Sequence, residues 1–313
     1  FAGMPGEGTA VENAFSEEVE EILQQKIQLI KSLAEDPKTI RLVRESNHQN
    51  KRLTPREIEK LDQKWRRVKG VDEFIGAFIA NDCARHLIAF QKAHDGFAEI
   101  FIADAVGLIV GETNKTSDYF QADEDWWQRV MADARGEATV SDVRWDDSAR
   151  TYAMEIAVPV PGDDDRPAGV LKAVADIREM LASVAGIDLG SGGEAMVVRH
   201  NGTVVFRRGA QEPNARFFAA SRLQQALAPA LQEGGLTRLS FSAVDGSGDT
   251  QLVGAATSQL ASTYPHLPWA VVVWESESRA LAPVNSLFRS LLLVLALTMI
   301  AVLGMAFWFS TKL

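Results

Sequence analysis

The chain has 313 residues, of which 46% are hydrophobic and 24% charged, and a net charge of −10. This length and balance predict about two globular domains and argue against a disordered chain. Basic residues form no run longer than a pair, which excludes the charge pattern of a nucleic-acid-binding protein. The single cysteine, Cys83, excludes an internal disulfide or a site built from several thiolates.

The N-terminal part of the chain shows helical spacing. Apolar residues recur at intervals of three and four from near Ser16 and predict a long helix that ends at Glu35. A second helix is predicted to begin at Thr54, whose hydroxyl suits an N-cap, with Glu57 at the third position of a capping box. A third covers about 71–93.

From Phe97 onward the spacing becomes that of strands. The patterns "FAEIFIAD", "GLIVGET", "ATVSDVRW", "TYAMEIAVPV" and "AGVLKAVADI" predict five strands, with a mostly polar segment between the second and the third. Connections among the last three are too short for a parallel crossover, so the sheet should be antiparallel. The polar segment contains "TSDYFQADEDWWQRVM", which concentrates carboxylates and aromatic rings.

The second half repeats this order of elements. Two strand patterns, "EAMVVRH" and "TVVFRR", flank Asn201 and Gly202, a pair that favours a type I′ hairpin turn. A helical stretch over 212–234 follows, and then the patterns "LTRLSFSAV", "TQLVGAATSQL" and "PWAVVVWES". The expected fold class is therefore α+β with two successive antiparallel sheets.

The C-terminus predicts a transmembrane helix. No charged residue interrupts Ser290 to Thr311, and at about 1.5 Å per residue this stretch reaches roughly 33 Å, enough to cross a hydrocarbon layer of about 30 Å. Arg289 and Lys312 stand at its two ends. We expect the folded part to lie outside the cytoplasm, although a tail-anchored cytoplasmic protein would show the same pattern.

Taken together, these elements resemble the double Cache domain, a PAS-like extracytoplasmic sensor module of bacterial membrane receptors. The resemblance covers nearly the whole chain and lies most specifically in "FAEIFIADAVGLIVGETNKTSDYFQADEDWW", "VSDVRWDDSARTYAMEIAVPV", "PAGVLKAVADI", "GEAMVVRHNGTVVFR" and "YPHLPWAVVVWES". It implies four parts: a helical region with a long stalk helix over 1–95, a membrane-distal Cache domain over 96–187, a membrane-proximal one over 188–283, and the membrane helix over 284–313.

The resemblance also implies a ligand site in the distal domain. In the amino-acid-binding subset, an Arg, a Trp and a Tyr lie on the segment that covers the sheet, a further Tyr follows, and an Asp ends the last strand. Matching from the tryptophans gives Glu124 at the Arg position, and counting back from Pro159 gives Arg144 at the later Tyr position. The group that would bind a ligand carboxylate is thus replaced by an anion. The ligand-binding residues implied are Tyr119, Glu124, Trp126, Trp127, Arg144 and Asp176.

This exchange leaves three interpretations of the site. Glu124 and Arg144 pair and close it, or Glu124 and Asp176 bind an amine beside an aromatic wall, or Arg144 binds some other ligand. We expect at least one of the rings of Trp126 and Trp127 to face a cavity bounded by Glu124, Arg144 and Asp176. The alternatives are that both tryptophans pack on the sheet and that Asp176 caps the helix after it.

Two functions are compatible with these features, and both lack catalysis. No nucleophile elbow, phosphate-binding loop or metal-ligand spacing is present in the sequence, so we expect neither an enzyme nor a cofactor. The first function is a ligand-sensing module in the bacterial inner membrane, single-pass, with its bulk in the periplasm and its output supplied outside this sequence. The second is an accessory or scaffold subunit of a respiratory or photosynthetic membrane complex. Expected partners are the bilayer, a small molecule, and a membrane protein or a second copy.

Overall fold

The computed structural model describes residues 7–133, 137–146, 151–163, 166–177, 193–199, 203–207, 238–244, 248–257, 267 and 269–311. Within 7–93 the chain forms five helices: α1 (Glu7–Ala34), α2 (Pro37–Asn50), α3 (Pro55–Arg67), α4 (Glu73–Ile79) and α5 (Asp82–Ala93). Helix α1 begins at Glu7 rather than near Ser16.

Helix caps explain where the predicted boundaries were right and where they were wrong. Helix α3 has the predicted capping box, in which the Thr54 amide donates to Glu57 Oε2 at 2.8 Å. Helix α2 was missed, because Asp36 follows the end of α1 and also caps α2 by accepting a hydrogen bond from the Lys38 amide at 2.8 Å. The predicted third helix is divided in two, since Asn81 accepts from the Ala84 amide and begins α5 there.

The first sheet is antiparallel, as predicted. Its strands are β1 (Phe97–Asp104), β2 (Ile109–Glu112), β3 (Thr139–Val140), β4 (Arg144–Asp146), β5 (Thr151–Val160) and β6 (Gly169–Asp176), with α6 (Asp125–Ala132) between β2 and β3. The order is β2-β1-β6-β5-β3, and β4 also pairs with β5. The pattern "ATVSDVRW" forms two strands because the Ser141 hydroxyl accepts the Glu155 amide hydrogen at 2.9 Å.

A second five-stranded sheet follows, with its own hydrophobic core. Its strands are β7 (Glu194–Arg199), β8 (Val204–Arg207), β9 (Arg238–Val244), β10 (Thr250–Thr257) and β11 (Trp269–Ser276), in the order β8-β7-β11-β10-β9. Buried residues of its core include Met196, Val198, Val253 and Val272. The predicted turn at Asn201 and Gly202, the helical stretch 212–234 and the boundary near residue 188 lie outside the described residues.

The described chain divides into two compact units. One holds most of α1, α2 to α6 and the first sheet, and the other holds β7 to β10, most of β11 and two C-terminal helices, α7 (Glu277–Ala280) and α8 (Ala282–Ser310). Of the described helices, only α8 is long and apolar enough to cross a membrane, over Ala282–Trp308. Every side chain of that stretch is exposed.

The loop that leads into α6 packs against the turn between β1 and β2. Gly107 in this turn has φ of 93°, and a Cβ there would lie 2.5 Å from the Cβ of Ala122. The Gly107 carbonyl accepts a hydrogen bond from the Gln121 amide at 2.7 Å. Only glycine fits this close approach, which fixes the start of α6 relative to the sheet.

Candidate functional site

Helix α6 covers one face of the first sheet, and an aromatic pair forms the contact. Strand register places Phe101 of β1, Lys172 of β6 and Ala157 of β5 side by side, so that their side chains leave the sheet on the same face. Trp126 of α6 is buried against Phe101, with ring centroids 5.7 Å apart and planes at 82°. Helix α6 therefore packs on the face that these three strands form.

A cluster of three charges occupies this face. The Lys172 ammonium lies 2.7 Å from Glu155 Oε1, and the Arg144 guanidinium of β4 pairs with Glu155 Oε2. The side chains of Lys172 and Glu155 are 9% and 8% exposed, whereas that of Arg144 is 58% exposed. One buried carboxylate thus pairs with two cations, one buried and one half-exposed.

Burial by itself would raise the pKa of the Glu155 carboxyl. The charge of Lys172 and the hydrogen bonds from Arg144 and Lys172 outweigh this effect and hold the pKa below its ordinary value of 4.5. The same interaction raises the pKa of Arg144, chiefly through its hydrogen bond to Glu155. Glu155 and Arg144 are consequently both charged at neutral pH.

Glu124 stands at the start of α6 without a cation of its own. Its side chain makes no capping hydrogen bond, and within the described part of the chain it forms no ion pair. Partial burial raises its pKa, and the charges of Asp118, Asp123 and Glu155 act in the same direction, while Lys172 opposes them. The entrance to α6 is therefore a region of excess negative charge.

Of the three interpretations of the site, the one in which Glu124 pairs with Arg144 was wrong. Arg144 instead pairs with Glu155 of the neighbouring strand β5. The two strands are antiparallel, and Glu155 lies two residues from Ala153, the residue opposite Arg144. Glu124 contributes only a weaker, longer-range attraction to Arg144.

The remaining predicted residues take different positions. Trp126 packs on the sheet, and Trp127 is half-buried with its indole N–H 3.3 Å from the Asp104 carbonyl oxygen. Tyr119 is buried against the aromatic rings of α3 and α4, with its ring centroid 5.3 Å from that of Trp65. Asp176 is half-buried at the end of β6, where its amide donates to the Gly96 carbonyl at 2.9 Å.

Sequence reasoning missed Glu155, Lys172 and Phe101. Glu155 is the only charged residue within the strand pattern "TYAMEIAVPV", and Lys172 lies in the apolar middle of "AGVLKAVADI", whose other charge, Asp176, ends the strand. Charged residues are almost never fully buried unless they are paired. Two charges of opposite sign in neighbouring buried strands could therefore have indicated that Glu155 and Lys172 form an ion pair. They could not have indicated which other side chains contact that pair.

A second buried carboxyl group, Glu112, lies at the edge of the same sheet face, opposite Phe101 in register. It is fully buried, its Oε2 accepts the Thr116 amide hydrogen at 3.0 Å, and its Oε1 has no hydrogen-bond partner. The pKa of its carboxyl group is raised to about 8, chiefly because the group is buried. The negative charge of Glu99 also raises this pKa, whereas the hydrogen bonds from Thr116 and the positive charge of Lys115 lower it. The Glu112 carboxyl is thus largely protonated at neutral pH.

Asp104, at the end of β1, forms hydrogen bonds with both α2 and α6. Its carboxylate accepts hydrogen bonds from Ser46 at 2.8 Å and Asn50 at 2.7 Å, both on α2. The other carboxylate oxygen accepts the amide hydrogens of Val106 and Leu108 in the turn. Since its backbone carbonyl also faces Trp127, Asp104 contacts both α2 and α6.

Comparison with known proteins places this fold in a family. The family model described as "Cache domain" matches residues 7–284, and the chain therefore belongs to the Cache domain family, in its double form. None of the curated proteins matches the chain in sequence.

Several solved structures share the fold. The ligand-binding domain of the Pseudomonas aeruginosa amino acid chemoreceptor PctB, in complex with L-Arg, is 14% identical, with 90% of this chain and 91% of that chain covered and a TM-score of 0.51. That of the P. aeruginosa chemoreceptor PctC, in complex with GABA, is 14% identical, with 85% and 97% covered and a TM-score of 0.52. That of the Pseudomonas fluorescens chemoreceptor CtaA, in complex with L-serine, is 13% identical, with 86% and 96% covered and a TM-score of 0.51. At these identities the likeness establishes the fold.

Proposed function

We propose that this chain is a membrane-anchored extracytoplasmic sensor module whose ligand is an organic cation, bound at the start of α6. The observation that carries the proposal is the pairing of both cations of the sheet face, Lys172 and Arg144, with Glu155. This pairing leaves the Glu124 carboxylate in an acidic region without a paired cation among the described residues. A bound amine or guanidinium would relieve that repulsion.

A ligand carboxylate fits this region poorly. The resemblance to the amino-acid-binding subset puts an Arg at the position of Glu124, and an anion there repels the group that the Arg would bind. The solved relatives hold L-Arg, GABA and L-serine, each of which carries a carboxylate. We therefore propose that the ligand of this chain differs from theirs by lacking a carboxylate.

The proposal is tested by thermal unfolding of the purified protein with a panel of amines, guanidines, amino acids and simple carboxylates. A cation that binds only the folded state stabilises it by about 2.7 kcal/mol at a concentration of 100 times its Kd. We expect monoamines or guanidines to raise Tm and simple carboxylates to leave it unchanged. Glu124→Gln should abolish the rise, whereas Asp125→Asn, which removes the next charge along α6, should retain it.

The opposite pattern would overturn the proposal. A rise in Tm with carboxylates that persists in Glu124→Gln and requires Arg144 would make the chain an anion sensor.

The domain limits predicted from the sequence form part of the proposal. The separate cores of the two sheets support a distal domain over 96–187 and a proximal domain over 188–283, after the helical region 1–95 and before the membrane helix 284–313. We further propose a single-pass location in the bacterial inner membrane with the bulk in the periplasm, and a second copy or another membrane protein as partner. Catalysis forms no part of this function.

Membrane attachment through α8 gives a direct prediction. Contiguous exposed apolar surface on this scale is unstable in water, which supports insertion of α8 into a bilayer. A chain ending at Pro283 should appear in the soluble fraction without detergent and retain the circular dichroism of an α+β protein. The full chain should sediment with membranes. Recovery of the folded, shortened chain in the membrane fraction would contradict a single anchor at α8.

A further inference from the structure

The ammonium group of Lys172 has the surroundings of a bound organic cation. It lies 2.7 Å from Glu155 Oε1, 4.7 Å from the centroid of the Trp126 ring and 5.5 Å from that of Phe101. All four side chains are buried. A carboxylate combined with aromatic faces is the arrangement by which proteins recognise ammonium ligands. Here the chain itself supplies the ammonium.

We propose that Lys172 determines the specificity of the site by filling an inner ammonium subsite formed by Glu155, Trp126 and Phe101. The subsite has the charge and the aromatic faces that an external amine would need, and the four-carbon stem of Lys172 reaches it from β6. An external cation is thereby confined to the region of Glu124, outside this subsite. This last step rests on the proposed function, whereas the inner subsite does not.

Tethering explains why an external amine does not replace Lys172. A side chain held on a neighbouring strand has a high effective concentration at its partner, and it binds without the loss of translational freedom that a free amine incurs. Glu155 is also held from the other side by Arg144, so the carboxylate does not have to move. Removing the Lys172 stem therefore leaves an intact subsite without its cation.

Chemical rescue tests the inference. Lys172→Ala removes three methylene groups and the ammonium, which together correspond to propylammonium. We expect Lys172→Ala to lower Tm, and millimolar propylammonium chloride to restore several degrees of that loss. The same concentrations of KCl or of 1-propanol, which is neutral and of the same size, should restore little. Lys172→Met, whose side chain fills most of the stem volume, should show no rescue.

A second measurement covers the case in which Lys172→Ala does not fold without additive. The denatured variant is then refolded in propylammonium chloride and in KCl at equal ionic strength, and the yield of folded protein is compared. A higher yield in propylammonium supports the subsite. Equal yields, or equal Tm values in the two salts, would show that Lys172 is only a structural ion-pair partner and would overturn the inference.

The outcomes separate this inference from the proposed function. The proposed function fails if the wild type binds no cation through Glu124, even when Lys172→Ala is rescued by propylammonium. The inner subsite fails if Lys172→Ala is not rescued, even when the wild type binds amines.

Discussion

Replacing Glu155 with alanine should destabilise the first sheet by about 3 to 5 kcal/mol, because breaking a buried ion pair leaves a charge without compensation. Lys172 would keep its ammonium beneath α6 with no carboxylate, and Arg144 would add a like charge nearby. The loss is measured by urea unfolding of the chain that ends at Pro283, followed by tryptophan fluorescence. Trp126, which lies against the affected ammonium, contributes to this signal together with the other tryptophans of the chain.

Two controls define the cause of this loss. The double replacement Glu155→Met with Lys172→Met should recover most of the stability, because apolar side chains of similar volume substitute for a buried pair. Glu194→Ala in the second sheet also breaks an ion pair, with Arg207 at 2.9 Å, but that pair is partly exposed and should cost at most about 1 kcal/mol. If Glu155→Ala cost no more than Glu194→Ala, the buried cluster would not stabilise the fold.

The stability of the first sheet should fall as pH rises from about 4.5 to about 8, through the ionisation of Glu112. The pKa of this carboxyl group is raised from 4.5 to about 8 in the folded chain. Its stabilising contribution is therefore complete below the unfolded pKa and disappears as pH passes the folded pKa. A change of this size corresponds to at most about 5 kcal/mol.

The measurement is urea unfolding at several pH values between 5 and 8.5. Glu112→Gln cannot ionise and should reduce the slope, leaving the part that comes from the raised pKa of Glu124. Glu59→Gln, on the exposed side of α3, should leave the profile unchanged. Glu155 does not interfere, because its lowered pKa makes its contribution disappear only as pH falls below about 4.5. An unchanged slope in Glu112→Gln would show that its carboxyl ionises normally in the folded protein.

Local sequence chemistry predicted much of the fold. The capping box at Thr54 placed the start of α3, and the alternating patterns gave β1 and β5 with their observed limits. Errors arose where one residue acts on two elements. Asp36 follows α1 and caps α2, and the Ser141 side chain interrupts a strand by bonding to the backbone of β5. Such competition depends on neighbours in space and is not visible in the local pattern.

The site was less predictable than the fold. Family matching brought out Trp126 and Arg144, but the interpretation that pairs Arg144 with Glu124 was wrong, because it took no account of the carboxylate of Glu155. Strand register decides which side chains share a sheet face, and a shift of one residue would place Lys172 on the other face. The ion pair therefore became evident only when the registers of β5 and β6 were known.

The position of Asp104 has a consequence for regulation. One residue holds α2 through its carboxylate and faces Trp127 of α6 through its carbonyl. If a ligand at α6 alters the attachment of α2 by a given factor, thermodynamic reciprocity requires that a partner acting on α2 alters the affinity for the ligand by the same factor. A protein that binds along α2 would then act as an effector of the site without touching it.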